Sequence, residues 1–340
     1  MQWRLRLVRC VGGLLLAAPV LAVAADARLL GAHYLGDIPT RVAEQQGMFR
    51  RHGLDIEIAY GASGRDNLAA LREGRVDFAL MAETPLVLNL ATTADGPRSS
   101  DPVILANLAH SNHLNQVVTL AGNGIDRPSD LRGHRVAMAG RTSSAYLWYL
   151  FAAYHGFDSR DVTRIDLPPS RLGDALIEGR ADAAVLWEPW TSRLRIRLGE
   201  RLRVLPGSDL YTAKWLLVTR RAVSDERPAL CRAVLAAYRD AIDWIGRHRD
   251  LALALFLADA GVGREALADG WDTVLFDLNL DWTLLAGLQQ QLDWAVGSGR
   301  LPAQSYPDLL SLIDARPLED LAPELVRIPL DGPGERDAIP

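Results

Sequence analysis

The chain has 340 residues, of which 49% are hydrophobic and 23% charged, with a formal net charge of −5. That length suits two domains of ordinary size, each with its own core, and the acidic balance argues against nucleic acid as a partner. Lys214 is the only lysine beside 36 arginines, which reads as genomic base composition and not as a phosphate-binding surface.

Residues 1–25 carry Arg4, Arg6 and Arg9, then an apolar run from Val11 to Val23, then Ala24 and Ala25. This is the order of a secretory signal, and its apolar run is too short to span about 30 Å of hydrocarbon. Cleavage near Ala24 or Ala25 predicts a periplasmic protein with a net charge of −8. Cys10 precedes the apolar run and follows Arg9, which does not fit a lipid-anchored cysteine. Its removal leaves Cys231 alone, so no intrachain disulfide is possible.

Short apolar strands then alternate with helical stretches: Leu29–Tyr34, Asp55–Tyr60, Phe78–Ala82, Val103–Leu108, Val117–Leu120, Arg135–Ala139 and Ala183–Trp187. The alternation predicts an α/β fold of βαβ units with mainly parallel sheets flanked by helices. Ser63 before Arg65–Glu73 and Pro85 at the head of Pro85–Leu90 read as helix starts. Beyond about Ala222 the periodicity is helical, in Pro228–Arg247 and Asp281–Val296, with no convincing strand. From Arg316 proline, acids and glycine dominate, so residues 316–340 read as a wrapping or disordered tail.

An internal repeat is the most informative feature. Ala70-Leu-Arg-Glu-Gly-Arg-Val-Asp-Phe-Ala-Leu-Met-Ala-Glu83 aligns without gaps on Ala175-Leu-Ile-Glu-Gly-Arg-Ala-Asp-Ala-Ala-Val-Leu-Trp-Glu188, with 8 of 14 positions identical. Each copy reads as a helix end, a glycine stop, an Arg-x-Asp turn into a strand, and a glutamate as the strand finishes. Ligands of open α/β sheets sit beyond the carboxyl ends of strands. Two equivalent units therefore place Glu83 and Glu188 at equivalent rims of two lobes, with a cleft between them.

Gly47-Met-Phe-Arg-Arg-His-Gly-Leu-Asp55, Glu73-Gly-Arg-Val-Asp77, Asp130-Leu-Arg-Gly-His-Arg-Val136 and Trp187-Glu-Pro-Trp190 resemble the sulfonate, taurine, nitrate and thiamine-precursor binding proteins of ABC importers (SsuA/THI5-like, NMT1), over roughly Leu29 to Arg220. The resemblance implies a two-lobed periplasmic binding protein fold of type II, with a discontinuous first lobe (26–118 and 219–315) and a second lobe (119–218). It implies chain crossings near Val117–Leu120 and Lys214–Thr219, hinge closure on a small polar ligand, an ABC permease and ATPase as partners, and a monomer.

Four loops should converge on the cleft: Tyr34–Thr40, Gly61–Arg65, Ala82–Pro85 and Gly140–Ser144. Helix starts present unpaired N–H groups and partial positive charge, so Ser63–Arg65 and Thr142–Ser144 read as anion sites. Capping accounts for one of Thr142, Ser143 and Ser144. Ser111, Asn112 and Asn115 match a family segment that supplies polar contacts. Glu83 and Glu188 facing a cleft would repel a sulfonate or nitrate, so either they point away or the ligand carries donors, as an aminopyrimidine or taurine stacked on Tyr146, Trp187 or Trp190 would. The expected ligand contacts are thus Tyr34, Ser63, Arg65, Glu83, Thr84, Asn112, Thr142, Ser143, Ser144, Tyr146, Trp187 and Glu188.

No metal site, Walker loop, dinucleotide fingerprint or nucleophile–base spacing is present, and no cofactor or catalytic role is expected. His110-Ser-Asn-His113 is the nearest approach to a metal motif and lacks a third ligand. The pyrimidine synthases of this fold carry a cysteine-rich motif absent here. A sensor subunit presenting its closed form to a membrane signalling protein is the alternative use of the same closure.

Overall fold

The computed structural model describes residues 25–90, 98–303 and 308–328. The expected signal segment and its cleavage site lie almost entirely outside the described residues. Among the described residues twelve strands run in chain order: β1 (Ala27–Ala32), β2 (Ile56–Gly61), β3 (Phe78–Met81), β4 (Pro102–Ser111), β5 (Asn115–Leu120), β6 (Arg135–Met138), β7 (Thr163–Asp166), β8 (Ala183–Trp187), β9 (Leu202–Val204), β10 (Ala213–Arg220), β11 (Leu275–Asp281) and β12 (Val326–Arg327). They form a seven-stranded sheet, β12-β11-β4-β10-β3-β1-β2, and a five-stranded sheet, β7-β6-β8-β5-β9.

Central strands are the continuous apolar runs. Every residue of β3 and of β8 is buried, as strands covered on both faces must be. The edge strand β2 alternates in exposure, and β7, also at an edge, is largely exposed.

The sheets are mixed, where mainly parallel ones were expected. β1–β2, β1–β3, β6–β7, β6–β8 and β11–β12 are parallel. The pairs made by β10 with β3 and β4, by β11 with β4, and by β5 with β8 and β9 are antiparallel. The antiparallel members are chiefly the strands through which the chain enters or leaves a sheet, which have no βαβ crossover to make them parallel. The chain passes to the second sheet between Ser111 and Asn115 and returns between Val204 and Ala213. Both passages come several residues before the positions expected for them.

The repeat folds as two matching units. The helices Gly64–Arg72 and Pro169–Ile177 end at Gly74 (φ 72°) and Gly179 (φ 68°), where the left-handed backbone favours glycine. The following N–H groups, of Arg75 and Arg180, return to the carbonyls of Ala70 and Ala175. Asp77 then accepts the Arg28 N–H at 2.9 Å, and Asp182 accepts the Arg135 N–H at 2.8 Å. Each aspartate thereby ties its strand to the parallel neighbour, β1 for Asp77 and β6 for Asp182. Thr219 and Thr119, on the antiparallel neighbours, donate to the carbonyls of Asp77 and Asp182 at 2.7 and 2.8 Å.

One sequence expectation needs correction, and one alternative is decided. A strand, β11, lies beyond Ala222, inserted between β4 and β12. Leu278, Asn279 and Leu280 are its buried positions, and Asp277, Asn279 and Asp281 are residue types depleted in strands. The tail wraps as far as it is described. Residues Arg316–Glu319 form a helical turn against the helix Pro228–Arg247, and β12 pairs with β11. Among the described residues no helix is long and apolar enough to cross a membrane.

Candidate functional site

The carboxyl ends of β1 and β3, the starts of the helices Gly64–Arg72 and Ser143–Tyr154, and the end of β8 surround one enclosed pocket between the sheets. Its walls are His33, Tyr34, Ser63, Gly64, Pro85, Thr142, Ser143, Trp187 and Trp215, with Ala32, Ala62 and Ala82 between them. The enclosed space is about 30 Å³, room for roughly a single water molecule. The two lobes are therefore closed upon each other. Tyr34 and Trp215 pack with ring centres 4.5 Å apart, so one wall is aromatic.

Two helix starts from opposite lobes meet here. Ser63 caps the first, its hydroxyl accepting the Asp66 N–H at 3.4 Å and donating to the Asp66 carboxylate at 2.6 Å. Thr142 caps the second, accepting the Ser144 N–H at 3.3 Å and donating to the Ala139 carbonyl at 2.6 Å. These caps leave the first-turn N–H groups of Gly64, Arg65 and Ser143 without intrahelical acceptors, at the positive ends of two helix dipoles. Ser143 Oγ donates to Asn115 Oδ1 at 3.1 Å. Asn115 Nδ2 is buried without a hydrogen-bond partner, a donor left over beside the pocket.

His33 has a fixed protonation pattern. The Arg41 guanidinium lies 3.1 Å from His33 Nδ1. A guanidinium only donates, so Nδ1 accepts and the ring proton resides on Nε2. Burial, then the charges of Arg41 and Arg193, push the His33 pKa below its ordinary value, opposed by Asp259. Arg41 is itself buried, ion-paired with Asp259 and stacked 4.3 Å over the Tyr60 ring.

Five of the twelve expected contacts line the pocket: Tyr34, Ser63, Thr142, Ser143 and Trp187. Arg65 stands outside the lining, donating from the first lobe to the Gly140 carbonyl of the second at 3.0 Å. The glutamates do not face the cleft. Glu83 is buried, its Oε2 accepting from the Tyr211 hydroxyl at 2.7 Å and the Lys214 N–H at 3.2 Å. Burial pushes its pKa up, opposed by these bonds and the Lys214 charge. Glu188 is buried and accepts the Ser192 N–H at 3.1 Å. The repeat aligned the two residues correctly but not their side chains, because the chain turns as each strand ends.

Thr84 donates to Gln291 Oε1 at 2.6 Å, and Ser144 faces the Val185 carbonyl at 3.4 Å, both inside the protein. Asn112 is half-buried in the passage between sheets, 3.5 Å from the Asp209 carbonyl. Tyr146 packs on Tyr211 and Trp294. Sequence reasoning missed His33 and Trp215. His33 directly precedes the first predicted loop, whereas Trp215 lies within a stretch read only as a crossing. Among the described residues no group of three or more potential metal ligands occurs.

A family model described as NMT1/THI5 like matches residues 37–252. The chain belongs to the NMT1/THI5-like family. An Escherichia coli protein described as aliphatic sulfonates-binding is 24% identical over 287 residues, 82% of this chain and 86% of that one. A Brucella abortus protein described as a binding protein is 24% identical over 218 residues, and the match spans 64% of its length. The alkanesulfonate-binding protein SsuA of Xanthomonas axonopodis pv. citri, solved with MOPS, superposes with a TM-score of 0.72 at 18% identity, covering 86% of this chain and all of that one. The fold of this family member is that of the periplasmic binding proteins.

Proposed function

We propose that this protein is the exported, periplasmic binding component of an ABC importer and closes on a small organic anion with a sulfonate-type head. The observation that carries this reading is the meeting of the Ser63–Gly64 and Thr142–Ser143 helix starts in a pocket whose lining includes no carboxylate. With both glutamates turned inward, the repulsion that favoured a donor-rich aminopyrimidine is gone. An oxyanion head would take the N–H groups of Gly64, Arg65 and Ser143, joined by the Ser143 hydroxyl and the spare Asn115 amide. A short apolar substituent would lie against Tyr34, Trp187 and Trp215. The role in this reading is binding without catalysis, in keeping with the aliphatic sulfonates-binding relative.

The pocket in its closed form is smaller than any such ligand, so binding requires the lobes to open and reclose around it. A thermal-shift screen of refolded, ligand-stripped protein against alkanesulfonates, taurine, nitrate and aminopyrimidines tests the reading. A ligand at 100 times its Kd stabilises by about 2.7 kcal/mol, a rise of several degrees in Tm. Selective stabilisation by alkanesulfonates is expected. A response to aminopyrimidines alone would overturn the anion assignment.

A further inference from the structure

A second basic site lies outside the cleft pocket, where the lobes meet at another edge. Arg164 comes from the exposed edge strand β7 of the second lobe. Arg300 follows the helix Trp282–Gly297 of the first lobe. Both line a cavity of about 280 Å³, together with Arg141 and Asp166, and both also line an adjoining groove of about 1000 Å³ whose floor includes Tyr149 and Trp294. The Arg300 guanidinium stands 4.7 Å over the Trp294 ring.

Of the three acids here, Asp158 is paired with Arg160, Asp166 lies near Arg65, and Asp293 meets a neutral amide. Asp166 accepts the Gly140 N–H at 2.8 Å and lies 3.7 Å from Arg65. Asp158 is held by Arg160 at 2.6 Å, and Asp293 accepts from the Gln289 amide at 2.8 Å. Among the described residues neither Arg164 nor Arg300 forms an ion pair. Arg141, at φ 59° the one described non-glycine residue with a positive φ, reaches across the lobes to the Leu88 carbonyl at 2.6 Å. Such backbone strain concentrates at functional positions. Burial and the neighbouring Arg164 charge both press the Arg300 pKa downward, so closure sets two like charges together at a cost.

We infer that Arg164 and Arg300 form a second oxyanion site, which takes a small doubly charged oxyanion of the phosphate or sulfate class and clamps the lobes shut. One guanidinium comes from each lobe, so an anion between them neutralises the repulsion only when the lobes are closed. Anion binding and closure are then thermodynamically linked.

The probe is inorganic phosphate at pH 7.5 and constant ionic strength, added to ligand-free wild type and to the R164Q/R300Q double variant. Arg164 is exposed and Arg300 half-buried, and an unchanged circular-dichroism spectrum checks that the variant folds. Phosphate is expected to raise the wild-type Tm and to reduce the radius of gyration in X-ray scattering. Both responses should weaken by about tenfold in phosphate concentration in the variant, as loss of charge-assisted hydrogen bonds requires. Equal responses in the two proteins, or none in wild type, would overturn the inference. Alkanesulfonate stabilisation is measured on the same two proteins: a selective alkanesulfonate response with no phosphate difference between them would overturn this inference and leave the cleft reading standing, whereas a phosphate difference without an alkanesulfonate response would do the reverse.

Discussion

Glu83 Oε2 accepts hydrogen bonds from the Tyr211 hydroxyl and the Lys214 N–H, and all three groups are buried behind the ligand pocket. Tyr211 lies in the segment by which the chain returns from the second sheet to the first, so the carboxylate ties the first lobe to the hinge. A buried carboxyl satisfied by two donors ties structure together here and lies outside the pocket lining.

Glu83→Gln can keep both bonds through its amide oxygen, whereas Glu83→Ala abandons two buried donors. The alanine variant should lose about 2–3 kcal/mol of unfolding free energy in urea denaturation, and the glutamine variant less than half of that. Ligand affinity in Glu83→Gln should stay within about threefold of wild type, since a hinge tie that is preserved leaves closure unchanged. A large affinity loss at unaltered stability would return Glu83 to the binding surface.

The sequence carried the architecture because the architecture is periodic. Alternating strands and helices, and the two copies of the Glu-Gly-Arg-x-Asp turn, are written in local residue types. The turn works the same way in each lobe: Gly74 and Gly179 stop a helix, and Asp77 and Asp182 fasten a strand. Side-chain direction past the strand end was not legible. Glu83 and Glu188 point inward because their partners, Tyr211 and Ser192, come from elements far along or beyond the repeat. β11 was hidden for a similar reason: its pairing with β4 overrides the poor strand propensity of its aspartates. The helix starts were the legible part of the site, since capping hydroxyls are local signals.

The His33 ring offers a direct test of the electrostatics. Long-range nitrogen–proton correlation spectra should show the Nε2-protonated tautomer at neutral pH, with Nδ1 in the range of a hydrogen-bond acceptor. The titration midpoint should fall below 6.5, because burial and the Arg41 and Arg193 charges oppose a second proton. The unfolded chain takes up that proton first as pH falls, so this histidine's share of stability is present above about 6.5 and is lost on acidification. Arg41→Gln should raise the midpoint. A midpoint above 6.5 in wild type would contradict the Arg41 contact.

The paired aspartates of the repeat should be energetically equivalent. Removing either carboxylate leaves a strand N–H, of Arg28 or Arg135, without its acceptor at the head of a sheet. Asp77→Ala and Asp182→Ala are each expected to cost about 1–2 kcal/mol. The two sites lie in different lobes with no shared partner, so the double variant should show the sum within about 0.5 kcal/mol. A strongly non-additive pair would mean that the two turns are energetically coupled across the lobes.

Arg65 connects the lobes rather than lining the pocket, and its effect on binding should therefore run through closure. Its Nη1 donates across the cleft to the Gly140 carbonyl at 3.0 Å, with Asp166 of the same lobe 3.7 Å away. Arg65→Ala removes a bond that exists only in the closed form, which costs the closed state about 1–2 kcal/mol relative to the open one. Apparent affinity falls by the reduction in the closed population, roughly fivefold to thirtyfold. The loss should sit in the dissociation rate measured by stopped-flow tryptophan fluorescence, with association little changed, because the open form that first meets ligand lacks this bond. If association slows instead, Arg65 steers the anion into the cleft by its charge, and that effect should fade as ionic strength rises.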